Sequence, residues 1–247
     1  MRRKEKKEIK EDHGCGLKVK FMDKGIIYYT DNQIQEPIRS LVWKQMAKTG
    51  LPITASFLQP GEERSYPQMV RQIISCLESS VTKYVFFCEH DVLYHPSHFD
   101  FIPTRDDTYY YNLNNWRWDY PKDRLIGYEG LTSLSQMCAN RELLLKHYRA
   151  RLKKIEKQNL HKIKSKEPEW ARTWGYEPGT KKRRNGGFSD ELSERWRSEF
   201  PNIDIRHKQT FSPPKVTLSS FKHKPTGWTE MTLDKVEGWN LKELFNI

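Results

Sequence analysis

Apolar positions change their spacing repeatedly along the first hundred residues, and each change marks an element. Gly25 to Thr30 (Gly-Ile-Ile-Tyr-Tyr-Thr) is a continuous apolar and aromatic run closed by Asp31-Asn32, the pattern of a buried strand followed by a turn. From Glu36 to Lys48 the spacing becomes helical, with Ile38, Leu41, Val42, Gln45 and Met46 along one stripe and Pro37 where a first turn tolerates it. Leu51 to Leu58 reads as a second strand, broken by Gln59-Pro60-Gly61. Tyr66 to Ser79 is helical again, through Met69, Val70, Ile73, Ile74 and Leu77. Tyr84-Val85-Phe86-Phe87-Cys88 then forms a third apolar run that leads directly into Glu89-His90-Asp91. Strand, helix, strand, helix, strand in this order predicts a parallel βαβαβ unit of the doubly wound, nucleotide-binding kind.

The second half is less regular. Thr108 to Leu113 is expected to be a strand continuing into the polar-aromatic Asn114 to Asp119, and Tyr120 to Gly130 is rich in turn residues. Asn140 is a candidate cap for a helix running from Arg141 to about Lys157. Glu167 to Phe188, dense in Trp, Gly, Pro and basic residues, predicts an ordered irregular loop that closes over a site. Ser189 to Ser198 is expected to be a short helix, Asn202 to Arg206 a strand with His207 at its end, and the last forty residues short strands and turns before a terminal helix. Met1 to Gly16 is charged and aperiodic, as in a flexible basic arm.

Composition narrows the class. A chain of 247 residues can bury a sizeable core. Charged residues make up 30% and aromatics 13%, which suits a water-facing globular protein and excludes general disorder. No apolar run approaches the roughly 20 residues of a membrane span, and no apolar segment follows the basic start, so a cytoplasmic location is expected. Cys15, Cys76, Cys88 and Cys138 form no CxxC pair and predict neither a zinc site nor a disulfide framework. The net charge of +11 is uneven: Arg141 to Arg184 carries fifteen Lys/Arg against five Asp/Glu. Such a field attracts polyanions, whether nucleic acid, anionic lipid or acidic glycan. A solvated helix face would explain part of it equally well.

The chemistry concentrates at Glu89-His90-Asp91. Ligands of open α/β sheets bind beyond the carboxyl ends of the strands, and two carboxylates there, two residues apart, can serve a hard divalent cation. Acids at strand ends are also common as turn formers and caps. His207 and His223 are the candidate third ligands, whereas strand alternation turns His90 away from the face of Glu89 and Asp91.

Four segments give the chain a likeness to a known class. Tyr28-Tyr29-Thr30-Asp31-Asn32 closes the first strand, and Glu89-His90-Asp91 stands where an Asp-x-Asp motif would. Gly186-Gly187-Phe188-Ser189-Asp190-Glu191 is a Gly-Gly-Phe and acidic segment, and Ile203-Asp204-Ile205-Arg206-His207 is a late strand ending in histidine. In this order, across about residues 20–210, they resemble a GT-A-fold, family 2-like glycosyltransferase. The resemblance implies a Rossmann-like α/β fold with a mixed, mainly parallel sheet flanked by helices, a single domain with acceptor-side insertions. Residues 17–113 would form the nucleotide-sugar-binding half and 114–247 the acceptor half with the closing metal ligand. It further implies a Mn²⁺ or Mg²⁺ ion held by Asp91, Glu89 and His207 or His223, and a UDP-sugar donor bound through Thr30, Asp31, Glu89 and Asp91. The catalytic base would be Glu177, Asp190 or Glu191. Trp116, Trp118, Trp170, Arg172, Trp174, Lys181, Lys182, Arg183 and Arg184 interleave flat and basic groups as a DNA-facing acceptor surface would. The favoured acceptor is a 5-hydroxymethyl pyrimidine in DNA of bacteriophage type, modified in the host cytoplasm. The alternatives are a cell-surface or lipid-linked glycan acceptor, or a non-catalytic nucleic-acid-binding module.

Overall fold

A computed structural model describes residues 23–157, 177–179, 193–210, 214–221 and 223–247. The βαβαβ unit is present: β1 (Lys24–Thr30), α1 (Ile38–Ala47), β2 (Ile53–Phe57), α2 (Tyr66–Ser79) and β3 (Tyr84–Glu89). β1 lies between β2 and β3 and is parallel to both. The sheet then continues with antiparallel β8 (Met137–Asn140), β5 (Tyr109–Asn112) and β9 (Ser193–Trp196), in the order β2-β1-β3-β8-β5-β9. The fold is therefore α/β with a mixed sheet.

Alternation along the strands builds two separate cores. Ile26, Tyr28, Phe86 and Cys88 point to one face, with α1 residues and the second sheet. Ile27, Tyr29, Val85 and Phe87 point to the other, against α2 and α3 (Arg141–Lys157). Because both faces are covered, β1 and β3 read as continuous apolar runs. Gly25 has a local reason: a Cβ there would lie 2.7 Å from the Thr82 side chain and 3.2 Å from the Pro52 carbonyl. α2 starts where Ser65 accepts a hydrogen bond from the Gln68 amide at 3.3 Å. That start faces the carboxyl ends of β1 and β3.

A second sheet runs β11-β7-β6-β10-β4. Its strands are short: β4 (Val92–Leu93), β6 (Asn115–Trp118), β7 (Leu125–Gly127), β10 (Asn202–Ile205) and β11 (Thr229–Met231). Thus part of the expected turn region is β7, and Asn115 to Trp118 pairs with β10 rather than prolonging β5. The expected helix over Ser189 to Ser198 is corrected too: Ser193–Trp196 is a strand parallel to β5, since sheet pairing overrides a local cap signal. Its first residues, including Asp190 and Glu191, lie outside the described residues. The chain passes from the first sheet to the second between Glu89 and Val92, and the Ile205 amide donates to the Asp91 carbonyl at 2.7 Å. A terminal helix α4 (Leu241–Phe245) covers Trp118. No helix among the described residues is long and apolar enough to cross a membrane.

Candidate active site

The carboxyl ends of β1, β2 and β3 and the start of α2 meet around a partly open cleft of about 100 Å³, and the turn after β10 adjoins it through Arg64 and Asp91. Thr30, Asp31, Arg64, Gln68, Gln72, Glu89, His90 and Asp91 are among its lining residues. The first turn is fixed locally. Asn32 adopts a left-handed conformation (φ 61°), its amide donates to Thr30 Oγ1 at 3.0 Å, and the Gln33 amide donates to Asp31 Oδ1 at 3.0 Å. Arg64 Nε donates to Asp31 Oδ2.

β3 ends at Glu89, so alternation does not govern the next two residues. His90 and Asp91 form a turn, and the ligand atoms of His90, Asp91 and His207 all lie within 4.8 Å of one another. The parity argument that turned His90 away is thereby corrected. Glu89 lines the cleft but is not in this group; its Oε1 accepts the Tyr29 hydroxyl at 2.7 Å and its amide donates to Tyr94 Oη at 2.9 Å. Burial, and then the Asp91 carboxylate, push the Glu89 pKa up. His223 is exposed and outside the group.

His207 is 8% exposed, and its Nδ1 accepts the Gln209 amide at 3.2 Å. Its Nε2 faces Asp91 Oδ2 at 3.8 Å, and His90 Nδ1 faces Asp31 Oδ1 at 3.8 Å. Neither nitrogen has a hydrogen-bond partner among the described residues. Burial lowers the His207 pKa despite the pull of Asp91, which favours the neutral ring. Beneath them, Asp204 accepts from Arg206 at 3.2 Å and lies 3.5 Å from Arg117, so its charge is matched by two arginines. Burial disfavours the charge of Arg206, but Asp204, Asp91 and Glu89 together hold its pKa up.

Two imidazoles with orphaned buried nitrogens, beside a carboxylate, are a donor set able to hold a divalent cation. The residues fit a cation, with one condition: the Gln209 contact at His207 Nδ1 leaves the proton on Nε2, so ligation through Nε2 needs the other tautomer.

The remaining expected residues are dispersed. Glu177 does not line the cleft; it acts electrostatically on Arg151, Tyr111 and Tyr148 in the α3 layer, where Arg151 is 1% exposed. Trp118 is fully buried, with its Nε1 on the Lys122 carbonyl at 2.7 Å, so its expected role as a stacking surface is corrected: it is a core residue. Trp116 is half-buried against Gly127. Trp170, Arg172, Trp174, Lys181, Lys182, Arg183 and Arg184 lie outside the described residues. Sequence reasoning missed Arg64, because its contacts with Asp31 and Gln209 span 33 and 145 residues and leave no local pattern.

No protein-family model matches the chain, and no curated protein does. Among solved structures it is similar to a glycosyltransferase involved in the glycosylation of the major capsid of PBCV-1. That match has a TM-score of 0.42 and 10% identity, and it covers 71% of this chain and 82% of that one.

Proposed function

We propose that this chain is a metal-dependent glycosyltransferase that moves a sugar from a nucleotide sugar, a UDP-sugar in the first instance, to a hydroxyl acceptor. One observation carries the reading: an acidic turn and two histidines converge at the carboxyl ends of two parallel strands, beside the Thr30-Asp31 turn. Asp91, His90 and His207 would hold the cation. When bound it would supply Lewis-acid charge to a diphosphate leaving group.

The chain's own groups account for the rest of the donor site. Asp31, oriented by Arg64 and the Gln33 amide, would accept a hydroxyl hydrogen of the nucleoside. Tyr29 holds Glu89 in one orientation against Asp91. Gln72 is spent on the Thr30 and Ser56 carbonyls, which fixes the cleft floor and bars a rotated Thr30 peptide.

The favoured acceptor is a 5-hydroxymethyl pyrimidine in DNA. Its support is the +11 charge, concentrated in the window from Arg141 to Arg184. The test is incubation with Mn²⁺, a panel of nucleotide sugars, and plain or hydroxymethylated DNA, followed by mass spectrometry of the digested nucleosides. A hexose or pentose mass added only to hydroxymethylated DNA is expected. Donor hydrolysis with no DNA product would move the acceptor to a glycan. No hydrolysis of any donor would remove the enzymatic reading itself.

A further inference from the structure

The turn that carries His207 is tied to the start of α2. Arg64, the residue before the Ser65 cap of α2, donates from Nε to Asp31 Oδ2 and from Nη2 to the Gln209 carbonyl at 2.9 Å. The Gln209 amide donates to His207 Nδ1 at 3.2 Å, and His207 Nε2 faces Asp91. On the other side, Asp31 Oδ1 faces His90 Nδ1. One planar guanidinium thus joins the two turns that flank the His90–Asp91–His207 group, closing a ring of contacts around it.

We propose that Arg64 is a positioning residue that fixes the His207 turn against the acidic turn, and so sets the affinity of this group for a divalent cation. The inference rests on the reading of the group as a cation site. Charge and geometry predict opposite signs for its loss. As a positive charge in a cleft that also holds Asp31 and Asp91, Arg64 repels a cation, so removing it would tighten binding. As a two-armed clasp on the Gln209 carbonyl it holds the backbone that carries His207 against the acidic turn. Its loss lets that backbone drift, which weakens binding and outweighs the easier switch of the ring to the Nδ1–H tautomer that ligation through Nε2 requires. A lysine keeps the charge but cannot reproduce the fork, so Arg64→Lys separates the two effects.

The experiment measures Mn²⁺ binding to the full chain from the paramagnetic resonance signal of free Mn²⁺. It also follows hydrogen exchange across residues 205–210 in chelator. Arg64→Ala and Arg64→Lys are both expected to bind roughly 10–100-fold more weakly than wild type, the usual range for supporting contacts of a metal site. Exchange in the Gln209 segment is expected to be at least about 10-fold faster, since its opening no longer breaks the clasp. Thermal unfolding in chelator checks that the variants fold. Equal or tighter Mn²⁺ binding by Arg64→Ala, with wild type binding normally, overturns the proposal and leaves the cation site standing. Absence of Mn²⁺ binding by wild type overturns both.

Discussion

His98 offers a test of the core that is independent of any activity. It follows β4, is fully buried, stacks on Trp196 at 5.3 Å and lies 3.0 Å from Asn112 Nδ2, which donates to its Nδ1. Burial pulls its pKa down to about 3. The unfolded chain takes up this proton below about pH 6.5 whereas the folded chain does not, so stability present above 6.5 is lost as pH falls towards 3. At about 1.36 kcal/mol per unit, the loss is about 2 kcal/mol at pH 5 and about 3 kcal/mol at pH 4. His98→Leu, close in volume, removes the titration. It also leaves Asn112 without one acceptor, at a cost of roughly 1–2 kcal/mol at neutral pH. Asn112 keeps its bond to Ser198 Oγ. The variant is therefore less stable at pH 7.5, level with wild type near pH 5 and more stable at pH 4. Urea unfolding followed by tryptophan fluorescence in chelator reads this directly, as a wild-type midpoint that falls by roughly 0.8 M more than the variant's between pH 7.5 and 5. His147, also held neutral by burial, is common to both proteins and cancels in the difference. Wild-type and variant curves that stay parallel from pH 7.5 to 4 would refute the reasoning.

Asp91→Asn is expected to lose Mn²⁺-dependent donor hydrolysis by about 100-fold or more, since a charge removed from a buried group of this kind costs roughly 3 kcal/mol; undiminished hydrolysis at saturating Mn²⁺ counts against the site. Glu177→Gln, which removes the weakest of the electrostatic influences on the fully buried Arg151, should lower the unfolding free energy by about 1 kcal/mol. If stability is unchanged and only sugar transfer is lost, Glu177 is the base after all. Gly127→Ala drives a Cβ to within 3.0–3.2 Å of three Trp116 ring atoms, and about 1–3 kcal/mol of destabilisation should follow in thermal melts. Binding to duplex DNA should fall steeply between 50 and 200 mM salt, whereas salt-independent retention would speak against phosphate contacts.

The parts of the fold visible in the sequence are those with long, clean periods. α2 spans Tyr66–Ser79 as its apolar stripe predicts, and β1 and β3 stand where the continuous apolar runs put them. His207 stands two residues beyond the end of Asn202–Ile205, so its placement at a strand end was legible. The second sheet was not. Strands of two to four residues, such as Val92–Leu93 and Thr229–Met231, are too short to display alternation, and their partners lie far away in the chain. Ser193–Trp196 follows the helix-start signal of Ser189-Asp190-Glu191 but joins the edge of β5 instead. Within the site, the position of Asp91 was legible because it depends on one strand ending. His90 and Arg64 were not, because their roles depend on a turn and on contacts between remote segments.

The passage of the chain between sheets at Glu89 to Val92 divides the site in a way that bears on how it could be altered. Asp91 and His207 are both anchored to the second sheet, through the bond from the Ile205 amide to the Asp91 carbonyl and through β10 itself. Asp31 and the α2 start belong to the first sheet. The two sides of the site therefore rest on different sheets, and Arg64 is the tie between them, through Asp31 on one side and the Gln209 carbonyl on the other. A substitution at Gln68 would thus change only the first-sheet side of the cleft, whereas one at Asp31 or Arg64 would be felt by the aspartate–histidine pair as well.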